Sequence, residues 1–241
     1  FFIIRSNIKK RKMNELLVNK NFEITQQNEE IETQNNLLQT QKEEIEQNHK
    51  HITDSINYAS RIQTAMLHGE SVLADTFNLY FIIYKPRDIV SGDFYWIKQI
   101  RNFIAIVAAD CTGHGVPGAF MSMLGVSLLT EHVTSRRLDS PGEILETLRK
   151  KVKLYLKQTG SYEEAKDGMD MALCLINTEN LKVKYAGANN PLYLLRGEEL
   201  TEFKATRNPI GIYLKEKEFE THTIQLEKND AIYMFSDGYV D

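Results

Sequence analysis

Two aspartates can be set face to face by counting residues across one turn. If Arg101-Asn102 is a two-residue hairpin turn, partners across it sum to 203, so Ile100 faces Phe103, Trp96 faces Val107 and Asp93 faces Asp110. Directly opposed side chains of an antiparallel pair lie about 4.5–5.5 Å apart at Cβ, and like charges there are destabilising unless a proton or a cation intervenes. A divalent cation is the natural resolution, and oxygen-only ligands suit Mg2+ or Mn2+ rather than Zn2+. No histidine pair competes, because His49, His51, His68, His114, His132 and His222 form no cluster at metal spacing in the globular part. The register is the step on which this rests: Arg-Asn is not a favoured hairpin turn, and a slip of one residue sends the acids to opposite faces. Two unrelated aspartates in strand-end turns are the alternative.

Other acids fall where strands end. The run from Ala231 to Ser236 delivers Asp237-Gly238, and Asp170 heads another strand-like run, although turn chemistry is the more ordinary role for an aspartate so placed. Asp93, Asp110 and Asp237, converging without a positioned nucleophile, suggest water activated by two bridged divalent ions, which would clamp the oxygens of a phosphoryl group during in-line displacement. Lys85 and Arg87 precede the first of these acids and are the candidates to hold a substrate phosphate dianion; solvated strand-end positions are their alternative.

The elements that must position these residues are legible after Gly69. Strand-like runs lie at Leu79 to Tyr84, Phe94 to Ile100, Phe103 to Ala109, Met171 to Ile176, Leu181 to Ala186, Pro191 to Leu195, Phe219 to Leu226 and Ala231 to Phe235. Short turns such as Thr178-Glu179-Asn180 and Arg196-Gly197 favour antiparallel neighbours. Two helices interrupt the strands. One begins near Pro117 and runs through Leu128; the other opens at the capping box Ser140-Pro141-Gly142-Glu143 and runs to about Gln158. Strands, helices and strands again predict an α+β domain with helices covering antiparallel sheet, and Phe94, Trp96, Ile104 and Ile106 belong to its core.

Before Gly69 the pattern is different. Ile24, Ile31, Leu38, Ile45, Ile52, Ala59 and Met66 recur at an unbroken spacing of seven, with no Pro or Gly among them, which predicts a long helix with a coiled-coil seam. The companion positions are mostly Asn28, Asn35, Lys42 and His49, so the seam is weak until Ile52, Ile56, Ala59, Ile62 and Met66 widen it into a stripe suited to docking on a domain or on a second copy. A solvated spacer helix is the bland reading. Upstream, Phe1 to Ile4 form an apolar stub followed by Arg5, Lys9, Lys10, Arg11 and Lys12. That order reads as the cytoplasmic exit of a membrane helix, and so as a fragment tethered upstream of residue 1; a frayed basic terminus explains it equally well.

The chain has 241 residues, 42% hydrophobic and 26% charged, enough for one ordinary domain plus an extension and incompatible with a collagenous, disulfide-scaffold or wholly disordered protein. Its formal net charge of -4 gives no reason to expect nucleic acid as partner. The two cysteines, Cys111 and Cys174, are far apart and outside any CxxC spacing, which fits a reducing, cytoplasmic setting, at the inner face of the membrane if the tether exists.

Five segments carry a family resemblance: Pro86 to Trp96, Asp110-Cys111-Thr112-Gly113-His114-Gly115-Val116-Pro117-Gly118-Ala119, Tyr185 to Pro191, Asn208-Pro209-Ile210-Gly211 and Phe235-Ser236-Asp237-Gly238. Their order and spacing resemble the motif series of the SpoIIE/RsbU branch of the PPM (PP2C-type) serine/threonine phosphatases. The resemblance implies an αββα sandwich, two Mn2+ or Mg2+ ions, a bacterial source, and dephosphorylation of a regulatory phosphoprotein, often a STAS-type anti-sigma-factor antagonist. It further implies that Asp93 and Asp110 are metal ligands with Asp110 bridging, that the Cys111 carbonyl is a backbone ligand, and that Asp237 completes the second ion's shell. The organisation expected is then a stub at 1–12, a coiled-coil signalling helix at 13–68 that forms a homodimer, and a phosphatase domain at 69–241.

There are departures. Such phosphatases continue past Ser-Asp-Gly with a strand bearing another metal-binding aspartate, whereas this sequence stops at Asp241, so the resemblance implies an incomplete second metal site. His114 lies four residues after Asp110, not two, so the general-acid role proposed for the histidine of eukaryotic relatives does not transfer; a structural role at the start of the helix suits it. Gly113-x-Gly115-x-x-Gly118 matches the dinucleotide fingerprint literally, but its strand is half of an antiparallel hairpin and Pro117 lies inside the loop. The remaining rival is a catalytically silent module that signals by binding alone.

Overall fold

The computed structural model describes residues 2–67, 70–135, 140–160 and 166–239, so the expected boundary at 68–69 and the last two residues lie outside it. The chain forms two compact units, Phe1–Ser55 and Ile56–Asp241. Helix α1 (Phe2–Met66) is uninterrupted, as the Pro- and Gly-free stretch requires. Within the first unit Ile24, Ile31, Leu38, Ile45 and Ile52 are between 50% and 67% exposed, so the heptad stripe of this unit faces outward. Among the described residues no helix is long and apolar enough to cross a membrane.

In the second unit the end of α1 sinks into the domain. Ile56 and Ala59 are half-buried, Gln63 and Leu67 buried, and Met66 packs on the core. The expected stripe is thus corrected at Ile62, which like Ile52 is exposed, at 40%, while the polar Gln63 takes the inward position. A short helix α2 (Glu70–Thr76), not expected from the sequence, follows and buries Leu73 against Ile97 and Ile104.

Antiparallel sheet makes up the rest. A large sheet runs in the order β1 (Phe94–Ile100), β2 (Phe103–Cys111), β3 (Gly168–Asn177), β4 (Lys182–Ala188) and β8 (His222–Gln225), with β7 (Ile210–Gly211) also on β3. A smaller sheet has the order β6 (Glu199–Phe203), β5 (Leu192–Arg196) and β9 (Ala231–Tyr233). Helices α3 (Gly115–Ser135) and α4 (Pro141–Tyr155) cover one face of the large sheet through Leu128, Leu129, Leu145, Leu148, Leu173 and Leu175. The small sheet packs the other face through Tyr185, Leu192, Leu194 and Ile224. Antiparallel sheets flanked by helices are what the strand-helix-strand pattern predicts. The Ser140 hydroxyl caps α4 by accepting from the Glu143 amide at 3.4 Å, with Pro141 in the first turn, and the helix stops at Tyr155, three residues short of the expected Gln158.

Two expectations need correction. Leu79 to Tyr84 joins no ladder: Ile82 and Tyr84 turn inward while Leu79, Tyr80, Phe81 and Ile83 face out, so burial alternates only over its second half and no pairing strand forms, among the described residues. The run at Phe219 to Leu226 yields a strand only over His222–Gln225.

Candidate metal and phosphate site

The β1–β2 ladder has the register expected of the hairpin: Ile100 faces Phe103, Trp96 faces Val107, and Phe94 faces Ala109. The next step along that diagonal is Asp93 opposite Asp110. Arg101 takes the left-handed conformation, φ 57°, that lets an unfavoured pair make the turn. The neighbouring hairpin holds it there, because the Asn102 carbonyl accepts from the Thr178 amide at 2.8 Å and the Thr178 hydroxyl at 3.1 Å. With Phe94 and Trp96 buried, a slip would exchange them for half-exposed positions.

The same row continues. Asp110 pairs with Asp170 across β2 and β3, and the β3–β4 register that sets Met171 against Ala188 places Asn189 beside Asp170. Directly opposed residues share a face of the sheet, so Asp93, Asp110, Asp170 and Asn189 line one edge of it. Asn189, at φ 60°, donates from Nδ2 to Asp170 Oδ1 at 2.8 Å. Asp170 therefore belongs to a ladder and not to a turn; counting across Thr178-Glu179-Asn180 as a three-residue turn would have set it against Ala188, one residue short of its observed neighbour Asn189.

Asp237 arrives from elsewhere, in a 3-10 turn (Asp237–Tyr239) after β9. Its carboxylate and that of Asp93 crowd Asp110, whose pKa is pushed up to about 8 by burial first, then by Asp93, then by Asp237. Burial also raises Asp170, and the charge of Asp237 adds to it against the relief from Asn189. No Lys or Arg among the described residues offsets these charges. The Ser236 hydroxyl donates to Asp93 Oδ2 at 2.9 Å, tying the last segment to the first acid. The acids meet through Asp110; among the described residues no three His, Cys, Asp or Glu side chains form a finished cage for an ion. An oxygen-only donor set with surplus negative charge nevertheless fits a hard divalent cation.

The loop after Asp110 presents backbone. The Cys111 thiol is buried and its pKa pushed up by burial first, so it is held as the inert thiol. The Cys111 carbonyl oxygen faces Gly92, where a Cβ would stand 3.1 Å away, and only 2.7 Å from the Gly113 carbonyl oxygen. A Cβ on Gly118 would meet the Gly113 oxygen at 2.5 Å, so the loops at 92 and 111–118 touch backbone to backbone. His114 Nδ1 lies 3.0 Å from Asp88 Oδ2 at the start of α3, in line with a structural role. Lys85 and Arg87 are exposed on the loop before Asp93 and form no ion pair with a described residue; the structure does not bring them onto the acids. Sequence reasoning missed Asn189, Ser236 and Gln63. The first two lie inside quoted motifs, while Gln63 gave no signal of its own.

The family model described as Stage II sporulation protein E (SpoIIE) matches residues 101–241, more than half of the chain. The phosphoserine phosphatase RsbU of Bacillus subtilis is 26% identical over 196 residues, 79% of this chain and 54% of that protein, so the chain spans about half the length of this relative. The SiaA-PP2C domain of Pseudomonas aeruginosa superposes with a TM-score of 0.70 at 32% identity, covering 80% of this chain and 74% of that one. The PP2C phosphatase domain of SpoIIE from Bacillus subtilis shares the fold, with a TM-score of 0.51 at 24% identity over 62% of this chain and 41% of that one.

Proposed function

The chain belongs to the SpoIIE family and carries a PP2C-type serine/threonine phosphatase domain, and from this premise we propose that it hydrolyses phosphoserine or phosphothreonine in a regulatory protein with the help of divalent cations. The observation that carries the reading is the gathering of Asp93 and Asp237 about the half-buried Asp110 at the end of the β1–β2 ladder. Two Mn2+ or Mg2+ ions would rest on Asp93, Asp110, Asp237 and the Cys111 carbonyl. Such ions supply Lewis acidity and a lowered pKa for water.

The chain's own residues do the rest. Asp93 and Asp110 are fixed at the end of one ladder, Ser236 orients one oxygen of Asp93, and Asn189 orients Asp170. With the Cys111 thiol unavailable as a nucleophile, water attacks phosphorus directly. As its oxygen bonds to phosphorus, the P–O bond to the substrate serine breaks, a proton lost by the attacking water ends on the departing serine oxygen, and no phosphoenzyme forms. Lys85 and Arg87, exposed on the loop that leads to Asp93, meet the phosphate dianion as it approaches.

The partner that fits is a phosphorylated regulatory protein, in keeping with the phosphoserine named for RsbU, and the motif resemblance implies one of the STAS type. The exposed heptad stripe of Phe1–Ser55 supports a homodimer through the helix, and the apolar and basic stub supports a tether at the cytoplasmic face of the inner membrane. The test is Mn2+-dependent release of phosphate from a phosphoserine peptide, measured on this chain and on a form continuing past Asp241. Turnover abolished by EDTA is expected. Retained partner binding without turnover in either form would favour the silent signalling module.

A further inference from the structure

The last turns of α1 reach the loop that carries Asp93 through one buried amide. Gln63 is 6% exposed and Ser91 is 7% exposed. Gln63 Nε2 donates to the Ser91 carbonyl at 2.7 Å, and the Ser91 amide donates back to Gln63 Oε1 at 3.0 Å. One side chain thus satisfies both backbone groups of Ser91, as a residue on a neighbouring β-strand would. The second Nε2 hydrogen goes to the Ser122 hydroxyl at 2.8 Å. Ser122, on α3, lies 3.2 Å from the Ser91 carbonyl and 2.9 Å from the Ala119 carbonyl, so α1, the Asp93 loop and α3 are joined at one point.

What Ser91 does is passed on by geometry. Gly92 follows it, seated where a Cβ would collide with the carbonyls of Gly113 and Cys111 and stand 3.6 Å from Gly118 Cα. Asp93 comes next, its carboxylate already committed to Asp110 and Ser236. A shift of Ser91 leaves Gly92 no free direction, and it moves both Asp93 and the Cys111 carbonyl.

We propose that Gln63 is a positioning residue of the metal centre: its carboxamide acts as a surrogate strand partner for Ser91 and thereby sets the Asp93 carboxylate and the Cys111 carbonyl. The inference rests on the phosphatase reading and names how that same site is regulated. Because Gln63 sits on the helix that carries the heptad stripe, any rotation or withdrawal of the helix end acts first on Asp93. A buried glutamine at an otherwise apolar helical position is explained by this task, since packing alone would favour Leu or Met there.

The test uses the full chain with Gln63→Met, which keeps length and helix propensity but makes neither hydrogen bond, and Gln63→Glu, which is isosteric and keeps only an acceptor for the Ser91 amide. Mn2+ binding is read by calorimetry, and kcat and KM are read on a phosphoserine peptide at 25 °C. For both variants Mn2+ affinity is expected to fall about tenfold and kcat about 10- to 100-fold, with KM within about twofold, as for a sub-ångström misplacement of catalytic groups. Mn2+ affinity and kcat within twofold of wild type in Gln63→Met overturn the proposal; if that variant does not fold, the same result in Gln63→Glu overturns it. If wild type binds Mn2+ without turning over the peptide, and Gln63→Met weakens that binding, the positioning role stands while the phosphatase reading falls.

Discussion

Gly92 offers a severe test of how the site is built, because it has no side chain and touches two backbone oxygens. In Gly92→Ala the new Cβ would stand 2.7 Å from the Gly113 oxygen and 3.1 Å from the Cys111 oxygen, where ordinary contact begins at 3.4 Å. Relief requires a movement of about 0.7 Å (3.4 minus 2.7) from one oxygen and about 0.3 Å from the other. Neither oxygen is on a flexible side chain, so the loops carrying Asp93 and Cys111 must separate. A 1 Å misplacement of catalytic groups costs about 10²-fold in rate. The 0.3–0.7 Å range therefore predicts a loss of about 5- to 30-fold in kcat, or roughly 1–2 kcal/mol of transition-state stabilisation.

Overpacking itself costs about 1–3 kcal/mol, and each kcal/mol lowers Tm by about 2–4 °C in a unit of this size, so the variant stays folded at 25 °C. The assay is phosphate release from a phosphoserine peptide across a Mn2+ titration, with thermal unfolding in parallel. Gly197→Ala is the control. Its φ of 60° makes a side chain strained while nothing lies within 4 Å, so it should lose about 1 kcal/mol of stability and no activity. A Gly92→Ala chain with wild-type kcat and Mn2+ response, despite a lowered Tm, would refute the idea that these two loops form one catalytic unit.

Three other perturbations have definite expected outcomes. Asp110→Asn should abolish turnover, at least 10³-fold, and spare the fold by circular dichroism, since Asp110 is half-buried and the amide retains its shape. In metal-free protein the raised pKa of Asp110, about 8 against 3.8, means the folded state holds a proton that the unfolded state has released. That contribution is complete below pH 4 and lost as pH rises through 8, so the Tm of wild type minus that of Asp110→Asn should fall over this window, and Mn2+ should reverse it at pH 8. A flat difference would remove the carboxylate cluster from the account. Arg149, 5% exposed, pairs with Glu146 at 2.6 Å, donates to the Lys217 carbonyl at 3.0 Å and lies 4.6 Å from the Phe219 ring centre; Arg149→Met should cost about 3–5 kcal/mol in urea unfolding because Glu146 is left half-buried and unpaired. Removing residues 1–55 should convert a dimer to a monomer in sedimentation equilibrium, and a longer chain that is itself monomeric throughout the micromolar range would refute the coiled-coil seam.

Much of the site was legible because strand registers are arithmetic once a turn is placed. Phe94, Trp96 and Val107 fix which face is buried, and Asp93 and Asp110 follow. The pairing of Asp110 with Asp170 was not readable in this way, since α3 and α4 separate β2 from β3 and no turn length relates them. Asp170 and Asn189 were missed by one residue, because the short turn between β3 and β4, read as Thr178-Glu179-Asn180, sets Asp170 against Ala188 instead. Strand β6, with four of five residues exposed, has too little apolar pattern to be seen, and it is defined only by its ladder on β5. The opposite failure occurs at Leu79 to Tyr84, where an apolar run, alternating in burial only from Phe81 to Tyr84, finds no ladder to join. Alternation reports which side chains are inside; hydrogen-bonded pairing is a separate, non-local fact.

The helix end shows the same distinction with more consequence. Hydrophobic periodicity selects Ile62 for the buried stripe, because burial of an aliphatic side chain is favourable wherever it occurs. The fold instead buries Gln63 and leaves Ile62 at 40% exposure. Burying a carboxamide is unfavourable unless every hydrogen bond is made, and here two backbone groups and a hydroxyl make them. An apolar contact would tolerate small rotations of the helix, whereas a three-bond amide holds one angle and loses its bonds together when that angle changes. The residue that defeats the periodicity is thus the one able to convert helix orientation into the position of Asp93, and the helix and the metal loop should respond as a single two-state element.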